Sequence, residues 1–227
     1  MTELLALPFS PWSEKARWAL DVRKVPYRYR HYQPLIGELE LRLRTRRLRG
    51  VVTVPLLIDD GGRVYDDSAA IARFADTHGE GPTLFPAEHE PAIARFIELS
   101  ERGLSAGRAL SLKRQLADDE ALAELVPREI RRRVGRLGLR LADLGLRRTL
   151  RKYRALRLTQ DQHRAHLRSV LDELRAALEG AQGEPKTLLG RFTFADIAVA
   201  QVLSFVSPPT FGLKLGKASR RGFTDPE

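Results

Sequence analysis

The sequence contains no cysteine. That absence removes disulfides, thiolate metal sites and any protein-borne cysteine nucleophile, so thiol chemistry here has to bring its sulfur in on a ligand. A reducing, cytoplasmic setting agrees with it. No apolar run approaches the ~20 residues that cross a bilayer as a helix. The start, MTELLALPFSPWSEK, lacks the basic residues and long apolar stretch of a secretory leader. What is present is a 227-residue chain, 43% hydrophobic and 30% charged. That balance suits a globular protein with a core for one large or two ordinary domains. The five histidines offer no metal set. His163 and His166 stand three apart on a predicted helix, but no third ligand is nearby and structural zinc takes four.

The net charge of +10 is concentrated. Residues 128–157 hold twelve basic side chains and only two acidic ones, Glu129 and Asp143, while the rest of the chain carries 27 of each sign. Val134, Leu137, Leu141 and Leu144 recur there at helical spacing and predict an apolar face as well. The plain reading is a solvated helix face packed on its domain. A lid that attracts anionic substrates is a second reading, and contact with an acidic membrane surface is a third. Nucleic acid is disfavoured, because Tyr153 is the one aromatic there that can stack on a base.

Along the chain, residues 3–7 form a short apolar stretch that stops at Pro8 and predicts a strand. Ser10, Pro11 and Glu14 then supply helix-start chemistry, and an apolar face of Ala16, Trp18, Ala19, Leu20 and Val22 carries a helix to about Arg23. Residues 25–31 predict a second strand. Residues 38–49, with Leu39, Leu41, Leu43 and Leu48, predict a second helix. Residues 54–58 and 63–65 flank an Asp-Asp-Gly-Gly turn as a β-hairpin. Asp67 and Ser68 open another helix, with Ile71, Ala72, Phe74 and Ala75 inward. Residues 81–91 are rich in Gly, Pro and acid and read as a linker. Beyond it the pattern is helical: 92–116 as one long helix with Gly103 or Gly107 as candidate break points, 118–158 interrupted by Pro127, Gly135, Gly138 and Gly145, 159–179, and a buried 194–205. A basic, Gly-containing tail follows. The fold class is α/β plus all-α, with a βαβαββα first domain over 1–80 and an all-helical domain over 92–227.

Four segments in this order resemble the glutathione transferase family. Residues 10–20, SPWSEKARWAL, resemble its first helix in the serine- or cysteine-type tau and omega classes. Val54-Pro55-Leu56 resembles its strand entry with a cis-proline. Asp67-Ser68-Ala69-Ala70-Ile71 resembles its acidic-Ser-x-x-Ile helix start. Thr193-Phe194-Ala195-Asp196 resembles the capping box of its helical domain. The resemblance implies a thioredoxin-like domain, a helical domain, a homodimer, and glutathione as co-substrate without metal.

On that resemblance, Ser10 is the catalytic candidate and Ser13 the second choice. A helix N-terminus carries unpaired N–H groups and partial positive charge, which favour a thiolate. Lowering a thiol from ~8.5 to ~7 raises its ionised fraction at neutral pH from a few per cent to about half. The Ser10 hydroxyl would hydrogen-bond the glutathione sulfur, and the thiolate would attack a small apolar electrophile. As an isolated feature Ser10 is an N-cap. Val54 would pair, strand-like, with the cysteinyl part of glutathione beside Thr53 and Pro55; the alternative is an ordinary edge proline. Ser68 would hold the γ-glutamyl carboxylate and Asp67 the ammonium, or both merely cap their helix. Phe9, Trp12, Ser105 and Arg108 would line the co-substrate pocket. The rival function is a non-catalytic ligand- or partner-binding protein of the same fold.

Overall fold

The computed structural model describes residues 1–33, 37–126, 133, 135–181 and 185–225. Four strands, β1 (Glu3–Ala6), β2 (Arg28–His31), β3 (Leu56–Ile58) and β4 (Val64–Tyr65), form one sheet in the order β2-β1-β3-β4. β1 and β2 are parallel; β3 runs antiparallel to both β1 and β4. Helices α1 (Pro11–Val22), α2 (Gly37–Thr45) and α3 (Ser68–His78) complete a thioredoxin-like βαβαββα domain. The helical part comprises α4 (Glu90–Leu116), α5 (Asp119–Glu124), α6 (Arg136–Lys152), α7 (Gln160–Glu179), α8 (Phe194–Ala200) and α9 (Lys217–Phe223).

The registers decide what gathers where. Leu5 faces Leu56 and Glu3 faces Ile58, so the start of β3 lies at the C-terminal end of β1. Leu57 faces Tyr65, so β4 ends there too. The chain therefore leaves β1 for α1, enters β3 from Val54-Pro55, and leaves β4 for α3, all at one edge of the sheet. α1 and α3 pack side by side, and their far ends are tied by Arg23. Its guanidinium donates to the carbonyls of Pro82 (2.6 Å), Asp76 (2.9 Å) and Gly79 (3.2 Å). Gly79 has no alternative, because a Cβ there would lie 2.2 Å from the Arg23 carbonyl oxygen. Leu5, Leu41, Val52 and Leu56 form the core between sheet and α2, and Ile71, Ala72, Phe74 and Ala75 of α3 are buried as expected.

By compactness the chain divides into Met1–Leu99 with Arg175–Gln201, and Ser100–Leu174 with Val202–Glu227. Two of these three boundaries fall inside α4 and α7 and the third follows α8, so none falls within residues 81–91. In the first unit, α8 packs against α1, and Thr193 and Asp196 form the expected capping box, with Thr193 N–H donating to Asp196 at 2.8 Å. In the second, Leu146 and Leu150 of α6 pack with Ala109, Leu112 and Leu122.

Several expectations are corrected. α4 is unbroken. Gly103 and Gly107 are not helix breaks but a notch, since a Cβ at 103 would lie 2.8 Å from Val202 and one at 107 would lie 2.5 Å from Phe205. Gly138 and Gly145 sit inside α6 without interrupting it, and only Gly135, with φ 51°, precedes a start. Pro127 and Val134 lie outside the described residues. The face of α6 that packs inward is Leu139, Ala142, Leu146 and Leu150; Leu137, Leu141 and Leu144 are exposed. In α2 only Leu41 is buried. Leu39 and Leu43, four residues apart, share one exposed face, and Leu41 lies on the opposite, buried side. The basic, Gly-containing tail carries a helix: α9 is held at its N-terminal end by Glu124, whose carboxylate accepts from Ala218 N–H (3.0 Å) and Ser219 N–H (2.8 Å). Phe223 of α9 stacks on Phe205 with ring centres 4.9 Å apart.

Candidate active site

Ser10 sits where β1 has ended and α1 begins. Its N–H donates to the Leu7 carbonyl (3.2 Å), closing a turn through Pro8 and Phe9, and its own carbonyl accepts from Glu14 N–H (3.0 Å). Pro11 then suits the first helical position, where an N–H would have no partner in the helix. The Ser10 hydroxyl accepts from Ser13 N–H at 3.5 Å, the outer limit of a hydrogen bond. The cap is therefore weak and the half-buried hydroxyl is lightly engaged. Ser13 differs. It is buried, and its Oγ accepts from Leu7 N–H at 3.1 Å, so its work is to fix the loop that presents Ser10. Phe9 and Trp12, half-buried, flank Ser10 in sequence.

One helix turn further, Glu14 is buried and binds Arg17 through two contacts, Nε–Oε1 at 3.1 Å and Nη2–Oε2 at 2.8 Å. Burial pulls the Arg17 guanidinium down, but the hydrogen bond and charge of Glu14 outweigh it and hold the group above its usual range. Nothing in the sequence singles out Lys15, yet it is among the largest fully buried side chains. The signal was present only as a lysine inside an otherwise inward-facing stretch, next to Ala16.

The Val54–Pro55 peptide bond is cis. Val54 and Thr53 are half-buried and Pro55 is buried, directly before β3. At α3, Asp67 is an N-cap with two short bonds: its Oδ1 accepts from Ala69 N–H (2.7 Å) and Ala70 N–H (2.9 Å). Ser68 is buried in the first turn behind it. Asp66, just before, is ion-paired with Arg47. The strand registers thus bring Ser10, Thr53-Val54-Pro55 and Asp67-Ser68 to one sheet edge, where two helices open. Ser105 and Arg108 belong to the second unit. Ser105 is exposed, and the Arg108 guanidinium lies over the Tyr153 ring, 3.6 Å from its centre. Burial pulls that guanidinium below its ordinary range, although the charges of Tyr153 and Glu101 oppose the shift. Arg108 thereby covers the aromatic that the sequence offered for base stacking.

Two surface hollows lie elsewhere in the first unit. One, of about 540 Å³, is lined by Leu43, Arg44, Thr45, Arg46, Ile58 and Val64. The other, of about 690 Å³, lies between β2 and α2 beside Arg30, His31 and Glu40. Among the described residues no three His, Asp or Glu side chains come together as a metal site. His163 is buried, with Nε2 2.9 Å from the Ala155 carbonyl oxygen, and burial lowers its pKa. No helix among the described residues is long and apolar enough to cross a membrane.

Comparison with known proteins points to the same fold. Residues 9–78 match the family model of the glutathione S-transferase N-terminal domain. A probable glutathione S-transferase of Solanum tuberosum is 30% identical over 95 residues, which span 41% of this chain and 42% of that protein. The match thus spans under half the length of that curated relative. The fold is similar to the glutathione S-transferase of Ceriporiopsis subvermispora in complex with glutathione, with a TM-score of 0.63, 19% identity, and coverage of 89% of this chain and 85% of that one. It is also similar to a glutathione S-transferase domain-containing protein of Marinobacter aquaeolei, with a TM-score of 0.60, 19% identity, and coverage of 88% and 84%. The chain therefore resembles the glutathione transferase family, in its N-terminal segment by sequence and over most of its length by fold.

Proposed function

We propose that this chain is a glutathione transferase that binds glutathione at the sheet edge where α1 and α3 begin. The observation that carries the reading is the convergence there of Ser10, Val54-Pro55 and Asp67-Ser68, imposed by the strand registers. Backbone N–H groups and partial positive charge at both helix starts favour anionic groups. The γ-glutamyl carboxylate would take the α3 start at Ser68, with Asp67 receiving the ammonium. The cysteinyl backbone would pair with Val54 beside Thr53. The sulfur would lie at Ser10, whose hydroxyl donates a hydrogen bond to it and favours the thiolate. The thiolate then attacks an apolar electrophile held against Phe9 and Trp12; a carbon–sulfur bond forms and the leaving group departs with its electron pair. Domain 1–80 would be the glutathione-binding part, and a cytoplasmic homodimer goes with the reading.

Calorimetric titration with glutathione, paired with turnover of an aryl halide, tests it. Binding with turnover that Ser10→Ala removes supports the reading. Binding without turnover makes the chain a non-catalytic glutathione-binding protein of the same fold. No binding to a correctly folded sample overturns both.

A further inference from the structure

Helix α6 presents leucine on two opposite sides. Leu139, Leu146 and Leu150 pack inward, whereas Leu137, Leu141 and Leu144 point away and are 56%, 50% and 57% exposed. Their i, i+4, i+7 spacing lines the exposed three along one side, over about 10 Å of helix. Arg140, Arg148 and Arg151, all exposed, fall beside that row at the same helical period. The sole acidic residue of α6, Asp143, is ion-paired with Arg147 at 2.7 Å.

We propose that this face of α6 docks on an anionic lipid surface, with the three leucines seated at the headgroup–acyl boundary and the arginines on the headgroups. Charge complementarity selects this occupant. The surrounding segment, residues 128–157, holds twelve basic residues against two acidic. A second copy of the chain would bring the same sign of charge to the same face and be repelled. Nucleic acid would find no open stacking platform, because Tyr153 already lies under Arg108. An acidic polypeptide would pair with the arginines by charge alone and leave the leucine row in water. A lipid interface takes both, since apolar side chains enter the acyl boundary while arginine stems reach back to the charged layer.

Sedimentation of the full chain with vesicles tests the proposal. Vesicles rich in phosphatidylserine should carry the protein down, pure phosphatidylcholine vesicles should not, and added salt should weaken the binding. Leu137→Ser, Leu141→Ser and Leu144→Ser combined should reduce vesicle binding at least tenfold. Arg140→Gln and Arg151→Gln should each reduce it about fivefold. Melting curves report whether the variants fold, and the single Leu141→Gln, expected to lose binding in the same direction, replaces the triple variant if that does not. Absence of binding to the anionic vesicles overturns the proposal. So does a leucine variant that folds and binds undiminished, or tighter binding to polyglutamate or a DNA duplex than to the vesicles.

Discussion

The two helices that open at the common sheet edge are capped in opposite ways. At α3, Asp67 holds two N–H groups at 2.7 and 2.9 Å through one carboxylate oxygen. At α1, Ser10 holds one at 3.5 Å, and Pro11 has removed another donor. Asp67 is thus largely committed to the fold and the Ser10 hydroxyl is not. The difference shows that a residue type common at helix starts can be structural at one and chemically available at its neighbour. It also divides the labour between the two serines of α1, since Ser13 is the one bonded to the loop.

Substitutions can break or sharpen this contrast. The largest effect is expected at Ser10→Ala, which should lower kcat/KM for an electrophile about 100-fold, the scale of losing one well-placed hydrogen-bond donor. Its melting temperature should move by only about 1 °C, since the cap it loses is weak. Asp67→Ala should act mainly on the fold, costing about 1–2 kcal/mol of stability, with Asp67→Asn recovering most of that loss in chemical denaturation, and should raise KM for glutathione through the lost ammonium contact. If Ser10→Ala destabilises more than Asp67→Ala, the contrast is wrong. Ser13→Ala should cost about 1 kcal/mol, from the Leu7 N–H left without its acceptor, and leave turnover within a few-fold of the parent.

The smallest effect concerns acid. Glu3 on β1 is buried, which by itself pushes its carboxyl up, but Arg28 and Arg30 outweigh burial and hold it below the usual carboxylate range. A depressed carboxyl contributes stability that is present above its unfolded value, near ~4.3, and is lost as pH falls through the folded one. Glu3→Gln should therefore melt lower than the parent at neutral pH and converge with it in acid, as a pH series of melting curves would show.

Much of the first domain was legible because its signals are local. Ser10-Pro11, the Asp-Asp-Gly-Gly turn and Asp67-Ser68 each announce a start or a turn without help from distant residues. The misreadings have tertiary causes. The long helix α4 was legible, but Gly103 and Gly107 stood only as candidate breaks in it, whereas they are the space into which Val202 and Phe205 fit. α9 has no apolar period of its own, and its cap comes from Glu124, 94 residues away in sequence. α6 carries leucines at helical spacing on two sides, so periodicity alone could not say which faces inward. At the candidate site the residue types were readable, but the division between Ser10, Ser13 and Asp67 was not, because it rests on which N–H each oxygen meets.

The weakly held hydroxyl at the start of α1 stands in a chain without a single sulfhydryl. Ser10→Cys would therefore create the protein's only thiol, placed at the helix mouth itself. The pH dependence of its alkylation rate would read the local field directly, with no ligand present. A helix N-terminus should bring that thiol below ~8.5, whereas Ser13→Cys, inside the buried turn, should titrate above it. The absence of native cysteine makes the first turn of α1 a position where electrostatic potential can be measured as a rate.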